Sequence, residues 1–200
     1  TRYRYHVVHQ LASEKAYCTA MLYLKASEYS NDDKQAFSNL FGAASRAVIQ
    51  EFVSMDEIAA MPFDELVTWL DDQGKHRFPD PAENAKRLQR IASDSYPLSE
   101  TLQSSVNLVL NLSLKNISNL EALLKRLETA IAEQMENIPN TLKTIPGLGS
   151  ILVAGIVAEI GGVERFGYNE AKVAKFAGFK WRKSGSAEFQ AEETHLTRTG

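Results

Sequence analysis

The chain has 200 residues, of which 44% are hydrophobic and 24% charged, with a net charge of −3. That is enough for one or two domains with a proper core, and the composition is ordinary for a globular protein. There is no apolar run long enough for a transmembrane helix and no visible signal peptide, so a membrane partner is not expected. The single cysteine, Cys18, cannot form an internal disulfide and fits a reducing cytosol, hence a cytoplasmic location.

In chain order, residues 2–29 read as a helix. Val7, Leu11, Tyr17, Met21, Leu22 and Leu24 recur at steps of three to four residues, without Gly or Pro. The stretch 30–33 (SNDD) ends that run and offers caps for a second helical pattern over 34–53, in which Gly42 is a weak point. Ser54 followed by Glu57 reads as a capping box. Pro62 sits near the first turn of a short helix that ends at Gly74, and a loop at 75–81 leads into another helix over 81–95. Pro97 opens the longest helical pattern, 98–138. There Leu110, Ile117, Leu124, Ile131 and Ile138 repeat every seven residues; Val106, Leu120 and Leu127 fill intervening positions, while Ser113 and Gln134 interrupt them. A helix of that length reaches about 60 Å at about 1.5 Å per residue. It serves either as a bundle helix paired antiparallel with 2–29 around the inserted segment 30–97, or as a seam for self-association into a homo-oligomer.

Pro139 ends the long helix, giving a division into 1–97, 98–138 as a coiled-coil linker, and 139–200. The expected fold is mainly α, closing in a small domain with a helix-hairpin-helix. That hairpin is TIPGLGSILVAGIVAEIG, residues 144–161. Gly147 and Gly149 can take positive φ and let a partner approach the backbone, and a helix starting near Ser150 would present unbonded N–H groups to an anion. Such a hairpin grips DNA phosphates without reading sequence. The alternative is a plain helix–helix turn, with Val153, Ala154 and Val157 as core.

Charge is uneven. Residues 139–200 carry 8 Lys/Arg against 6 Asp/Glu, whereas 1–138 carry 14 against 19. Lys172, Lys175, Lys180, Arg182 and Lys183 lie in 171–183, a stretch with no acid and with aromatics between the charges, a nucleic-acid footprint. The four histidines show no metal-binding spacing.

The segment TIPGLGSILVAGIVAEIGGVERFGYNEAKVAKFAGF, followed by SAEFQAEETHLTRTG, resembles the C-terminal domain of the DEDD-type insertion-sequence transposases. These are the bridge-RNA-guided serine recombinases, related to pilin-type invertases. The shared pattern is Pro-Gly-(Ile/Leu)-Gly, Ala-Glu-Ile-Gly, a Phe-containing turn, Ala-Gly-(Leu/Phe), a Ser, and then Ala-Glu-x-Thr. Residues 1–30 more loosely resemble the helix leading out of the family's RuvC-like nuclease domain. The resemblance implies a middle and C-terminal fragment of a DNA recombinase that cleaves and rejoins strands, inactive alone. The divalent metal (Mg) belongs to an N-terminal acidic cluster that this chain lacks. The partners it implies are DNA and a guide (bridge) RNA, and the nucleophile is a serine of the C-terminal domain.

Spacing from Ala177-Gly178 forward and from Phe189, Ala191, Glu192 and Thr194 backward places that nucleophile at Ser186. Ser184, followed by Gly185, fits the local Ser-Gly pattern instead. Ala187 stands where the family commonly has Gly, and Trp181 where it commonly has Pro. Arg182 and Lys183 could hold phosphate oxygens, whereas Asp71, Asp72, Glu192 and Glu193 read as surface charge. Two other classes remain: a non-catalytic helical DNA-binding module, and a coiled-coil assembly protein.

Overall fold

The computed structural model describes residues 1–31 and 35–179, and the backbone of 181–182, 185–186, 189–190 and 195–196. The chain is mainly α and divides into two compact units, one of His6–Lys125 and one of Thr1–Tyr5 with Arg126–Gly200. The helices, in order, are α1 (Arg2–Lys25), α2 (Ala43–Glu51), α3 (Met55–Ala60), α4 (Phe63–Gln73), α5 (Pro81–Asp94), α6 (Glu100–Glu136), α7 (Ser150–Ile160) and α8 (Glu170–Phe176).

In the unit of residues 6–125, α1 and α6 run antiparallel. Glu14 accepts hydrogen bonds from Ser113 (2.6 Å) and Asn116 (2.9 Å), Lys15 pairs with Glu121 (2.9 Å), and Lys25 reaches Asn107 (2.6 Å). The inserted segment contributes α2 to α5 to the same core. Leu22, Ile49, Ile58, Leu66, Leu70, Leu88, Ile91, Leu110, Leu114 and Ile117 are all fully buried there, and Phe52 meets Trp69 edge to face at 5.0 Å.

Local signals set several boundaries as expected. Asp80 caps α5 by accepting from the Glu83 N–H at 3.0 Å, with Pro81 in the first position. Pro62 and Gly74 bracket α4. Other boundaries differ from the sequence expectation. The first helix stops at Lys25, not 29. The second begins only after Gly42, which caps it in an extended conformation; a Cβ there would lie 3.1 Å from the Asn39 carbonyl. The reciprocal bonds of the capping box do not form. Glu57 accepts from the Val53 N–H (3.0 Å), but the Ser54 side chain makes no cap hydrogen bond.

The long helix spans Glu100–Glu136 without a break at Ser113. Ser113 is buried, because its hydroxyl is satisfied by Glu14. The seam residues Val106, Leu110 and Ile117 are buried within this unit's own core, so here the seam packs intramolecularly. Leu102, Leu108 and Leu112, off the seam, are more than half exposed. No helix among the described residues is long and apolar enough to cross a membrane.

Candidate nucleic-acid interface

The second unit, of residues 1–5 and 126–200, has a small core of its own. Met135, Val153 and Ala154 are buried, with Ile131, Leu142, Leu148 and Val157 packed against them. Val153 and Ala154 therefore anchor α7, and of the turn before it Leu148 packs against the core. Before that turn, the chain makes only a single 3₁₀ turn at Leu142–Thr144, where a second helix of the hairpin was expected. Pro146 lies just beyond it, and its missing N–H and fixed φ oppose a longer helix.

Gly147 takes the left-handed conformation (φ 88°), as expected. Gly149 does not; at φ −72° and ψ 161° it is extended and serves as the N-cap of α7. A Cβ on either glycine would meet nothing within 4 Å. The Leu148 N–H is taken by the Ile145 carbonyl (3.2 Å), so it is not presented outward. The amides of Ser150, Ile151 and Leu152 have no acceptor among the described residues, and Gly149 supplies no capping side chain. Three N–H groups at the positive end of an 11-residue helix thus lack an acceptor among these residues, and the space beside Gly149 is open.

The far end of α7 is closed. Gly161 (φ 69°) terminates the helix, and Arg165 donates to the Ile160 carbonyl (3.3 Å) while stacking on Phe166 (4.9 Å) and Phe176 (4.8 Å). Glu159, the acid of α7, is held by Arg2 in a two-bond pair (2.9 and 2.8 Å). Hydrogen bonding to that guanidinium, and its charge, lower the Glu159 pKa. The pair is exposed and adds little stability.

Helix α8 follows a tight turn. Asn169 caps it, its side chain accepting from the Lys172 N–H at 3.1 Å. Gly178 (φ 84°) ends it, with the Phe179 N–H reaching the Ala174 carbonyl at 2.8 Å, a Schellman-type close. Val173 and Ala174 are half-buried, whereas Lys172 and Lys175 are exposed.

Of the other predicted interface residues, Arg182 is described by its backbone alone, in β1 (Trp181–Arg182), which pairs antiparallel with β4 (His195–Leu196). Lys180, Lys183 and Ser184 lie outside the described residues. Ser186, again described by backbone only, is in β2 (Gly185–Ser186), paired antiparallel with β3 (Phe189–Gln190), opposite Phe189. These short ladders were not foreseen in the sequence.

An open cavity of about 860 Å³ lies in the same unit, walled largely by apolar side chains such as Met135, Ile138, Val157 and Val163. Among the described residues no group of three or more His, Cys, Asp or Glu could hold a metal ion. What the unit offers is a surface: the open amides of α7 and the lysines of α8. Tyr168, before the cap of α8, was missed in the sequence. Its signal was an aromatic between the turn residues Gly167 and Asn169.

Comparison with the curated proteins and with the solved structures returned no match. Residues 140–200, which hold the Pro146–Gly149 turn, α7, α8 and the serines, match the Transposase IS116/IS110/IS902 family, so this part of the chain is similar to insertion-sequence transposases.

Proposed function

We propose that this chain is part of an insertion-sequence transposase, in which the unit containing residues 140–200 binds DNA and supplies the serine nucleophile for strand cleavage and rejoining. The observation that carries the DNA-binding part is Gly149. Neither its φ nor its packing requires glycine, yet it leaves the first amides of α7 uncapped and unobstructed. Glycine at an N-cap is tolerated, but a Ser or Asp there would fill the position a phosphate oxygen needs. Together with Gly147, Ser150, Lys172, Lys175, Lys180, Arg182 and Lys183, it makes a phosphate-directed surface that holds DNA without reading bases.

In this reading the nucleophile is Ser186, with Ser184 the alternative two residues away. Divalent metal, in this reading, is supplied by an acidic cluster outside this chain. A guide RNA and a second copy of the protein complete the assembly, and the chain alone does not cut DNA.

The purified chain is expected to bind duplex DNA weakly, with log K falling linearly against log salt. Lys172→Ala and Lys175→Ala are each expected to flatten that slope by about 1, since each removes about one phosphate contact. Titrations by fluorescence anisotropy at several salt concentrations measure this. Undetectable binding at low salt, or slopes unchanged by both variants, would refute the interface.

A second reading, an assembly protein, is favoured by one observation: Leu108 and Leu112, four residues apart on α6, are both more than half exposed. Sedimentation over a range of concentrations is expected to show a dimer, returned to monomer by Leu108→Glu with Leu112→Glu. A monomer throughout would remove the self-association element.

A further inference from the structure

We propose that the exposed face of α8 and the turn before it seat unpaired nucleotides of a single strand, with Tyr168 as the platform on which a base stacks. The inference rests on the nucleic-acid reading of this unit and names the form of nucleic acid that this face takes.

The first observation is a left-handed backbone at an exposed aromatic whose side chain has no partner among the described residues. Gly167 and Tyr168 are consecutive left-handed residues, with φ of 63° and 54°. Glycine adopts that region freely, but for a bulky non-glycine residue it is an outlier that costs conformational energy. Such strain usually persists because the side chain is locked into packing. Here the ring is 73% exposed and makes no ring contact or side-chain hydrogen bond among the described residues. The Tyr168 N–H closes the preceding turn on the Val163 carbonyl (3.3 Å), which fixes the backbone, while the side chain is held outward and gains no packing in return.

The second observation is what lies beside it in the sequence and on the helix. Lys172, Lys175 and Phe176 share the side of α8 opposite the half-buried Val173 and Ala174, by their three- and four-residue spacing. Phe176 is 50% exposed and Phe179 52%. From 171 to 183 there is no acidic residue. An aromatic–basic alternation of this kind fits a single strand, because rings stack on bases that are splayed out while lysines follow the backbone. In a duplex the bases are already stacked on one another, so a duplex would use the lysines and leave Tyr168 idle.

Phe176 also contacts Phe166 (centroids 5.3 Å apart) and the Arg165 guanidinium, so changing it would disturb the fold of the unit. Tyr168 has no such role, which makes it the clean position to test.

The experiment is anisotropy titration of the full chain with labelled oligothymidylate, oligouridylate and a mixed-sequence duplex, each about 12 units long, within the range a single-strand groove covers. Tyr168→Ala is expected to weaken single-strand binding by about 5- to 160-fold, the range for loss of one stacked base. Duplex binding should change less than about twofold, since the lysine contacts remain. Tyr168→Phe, which keeps the ring, should retain single-strand affinity. An effect confined to oligothymidylate identifies DNA as the source of the strand, and one confined to oligouridylate identifies RNA. Unchanged single-strand affinity in Tyr168→Ala overturns the proposal, as does an equal loss for duplex and single strand. Loss of duplex binding in the lysine variants, with Tyr168→Ala silent, keeps the phosphate-directed surface and discards this inference alone.

Discussion

If the chain acts as proposed, Ser186→Ala is expected to abolish strand exchange in the full assembly while leaving DNA binding nearly unchanged. The proposed step is attack by the serine Oγ on a DNA phosphorus. It forms a phosphoseryl linkage, and the departing DNA oxygen leaves with a proton. Without the attacking hydroxyl the covalent linkage is not made, so the rate should drop by at least about 10⁴-fold, as for nucleophile deletions in other covalent enzymes. Binding should persist because one hydroxyl adds little to an interface built on phosphate charge.

Two spacings converge on Ser186, one counted from Ala177-Gly178 and one from the Ala191-Glu192-x-Thr194 stretch. A two-residue slip to Ser184 would have to be compensated on both sides. Ser184→Ala should therefore do less. The measurement is formation of a covalent protein–DNA adduct alongside strand exchange. If Ser184→Ala eliminates the adduct and Ser186→Ala does not, the nucleophile is Ser184. If both variants keep full exchange, the serine chemistry is absent, and the non-catalytic DNA-binding module becomes the better account.

Lys25 is expected to be the most pH-sensitive stabilising residue in the unit of residues 6–125. Its Nζ donates to the Ile49 carbonyl (2.7 Å), the Phe52 carbonyl and Asn107 Oδ1 (2.6 Å), and the residue is only 3% exposed. The lysine thereby closes the C-terminal end of α2, where unsatisfied carbonyls favour a cation. Burial disfavours the charged form and pulls the pKa down to about 8, partly opposed by the Glu57 carboxylate.

In the unfolded chain Lys25 keeps its proton to about 10.4, whereas in the folded chain it releases it near 8. Between those values the unfolded state binds more protons, so stability rises with pH. At about 1.36 kcal/mol per unit, the rise amounts to roughly 2–3 kcal/mol across that window. Urea unfolding at pH 7, 8.5 and 10 should show it, and Lys25→Met should remove that component. Lys25→Ala should lower stability at pH 7 by about 3 kcal/mol, because it deletes the buried stem and leaves three acceptors unpaired. Lys25→Met, which retains the stem, should cost less. Equal pH slopes for the wild type and Lys25→Met would show that the ammonium is not shielded from water as described.

The sequence by itself determined those features that depend on neighbours a few residues away. Asp80 and Pro81 start α5 wherever that helix packs, and Pro62 and Gly74 bracket α4. The absence of Gly and Pro between 98 and 138 makes α6 continuous. Gly147 was legible as a left-handed turn residue because glycine is the residue that reaches φ 88° without strain. The predominance of helix followed from the same local signals.

Only the tertiary structure decided which positions are filled and by what. The heptad repeat marked Leu110 and Ile117 as a seam, but it was the arrival of α1 and of the helices from 43–94 that buried them and left Leu108 and Leu112 outside. Ser113 read as a flaw in that seam until Glu14, 99 residues away, supplied its partner. Nothing around Lys25 in sequence announces that it will meet carbonyls 24 and 27 residues on. Capping, propensity and turn chemistry act over one helical turn. Burial and polar satisfaction act between segments that meet only when the chain has folded.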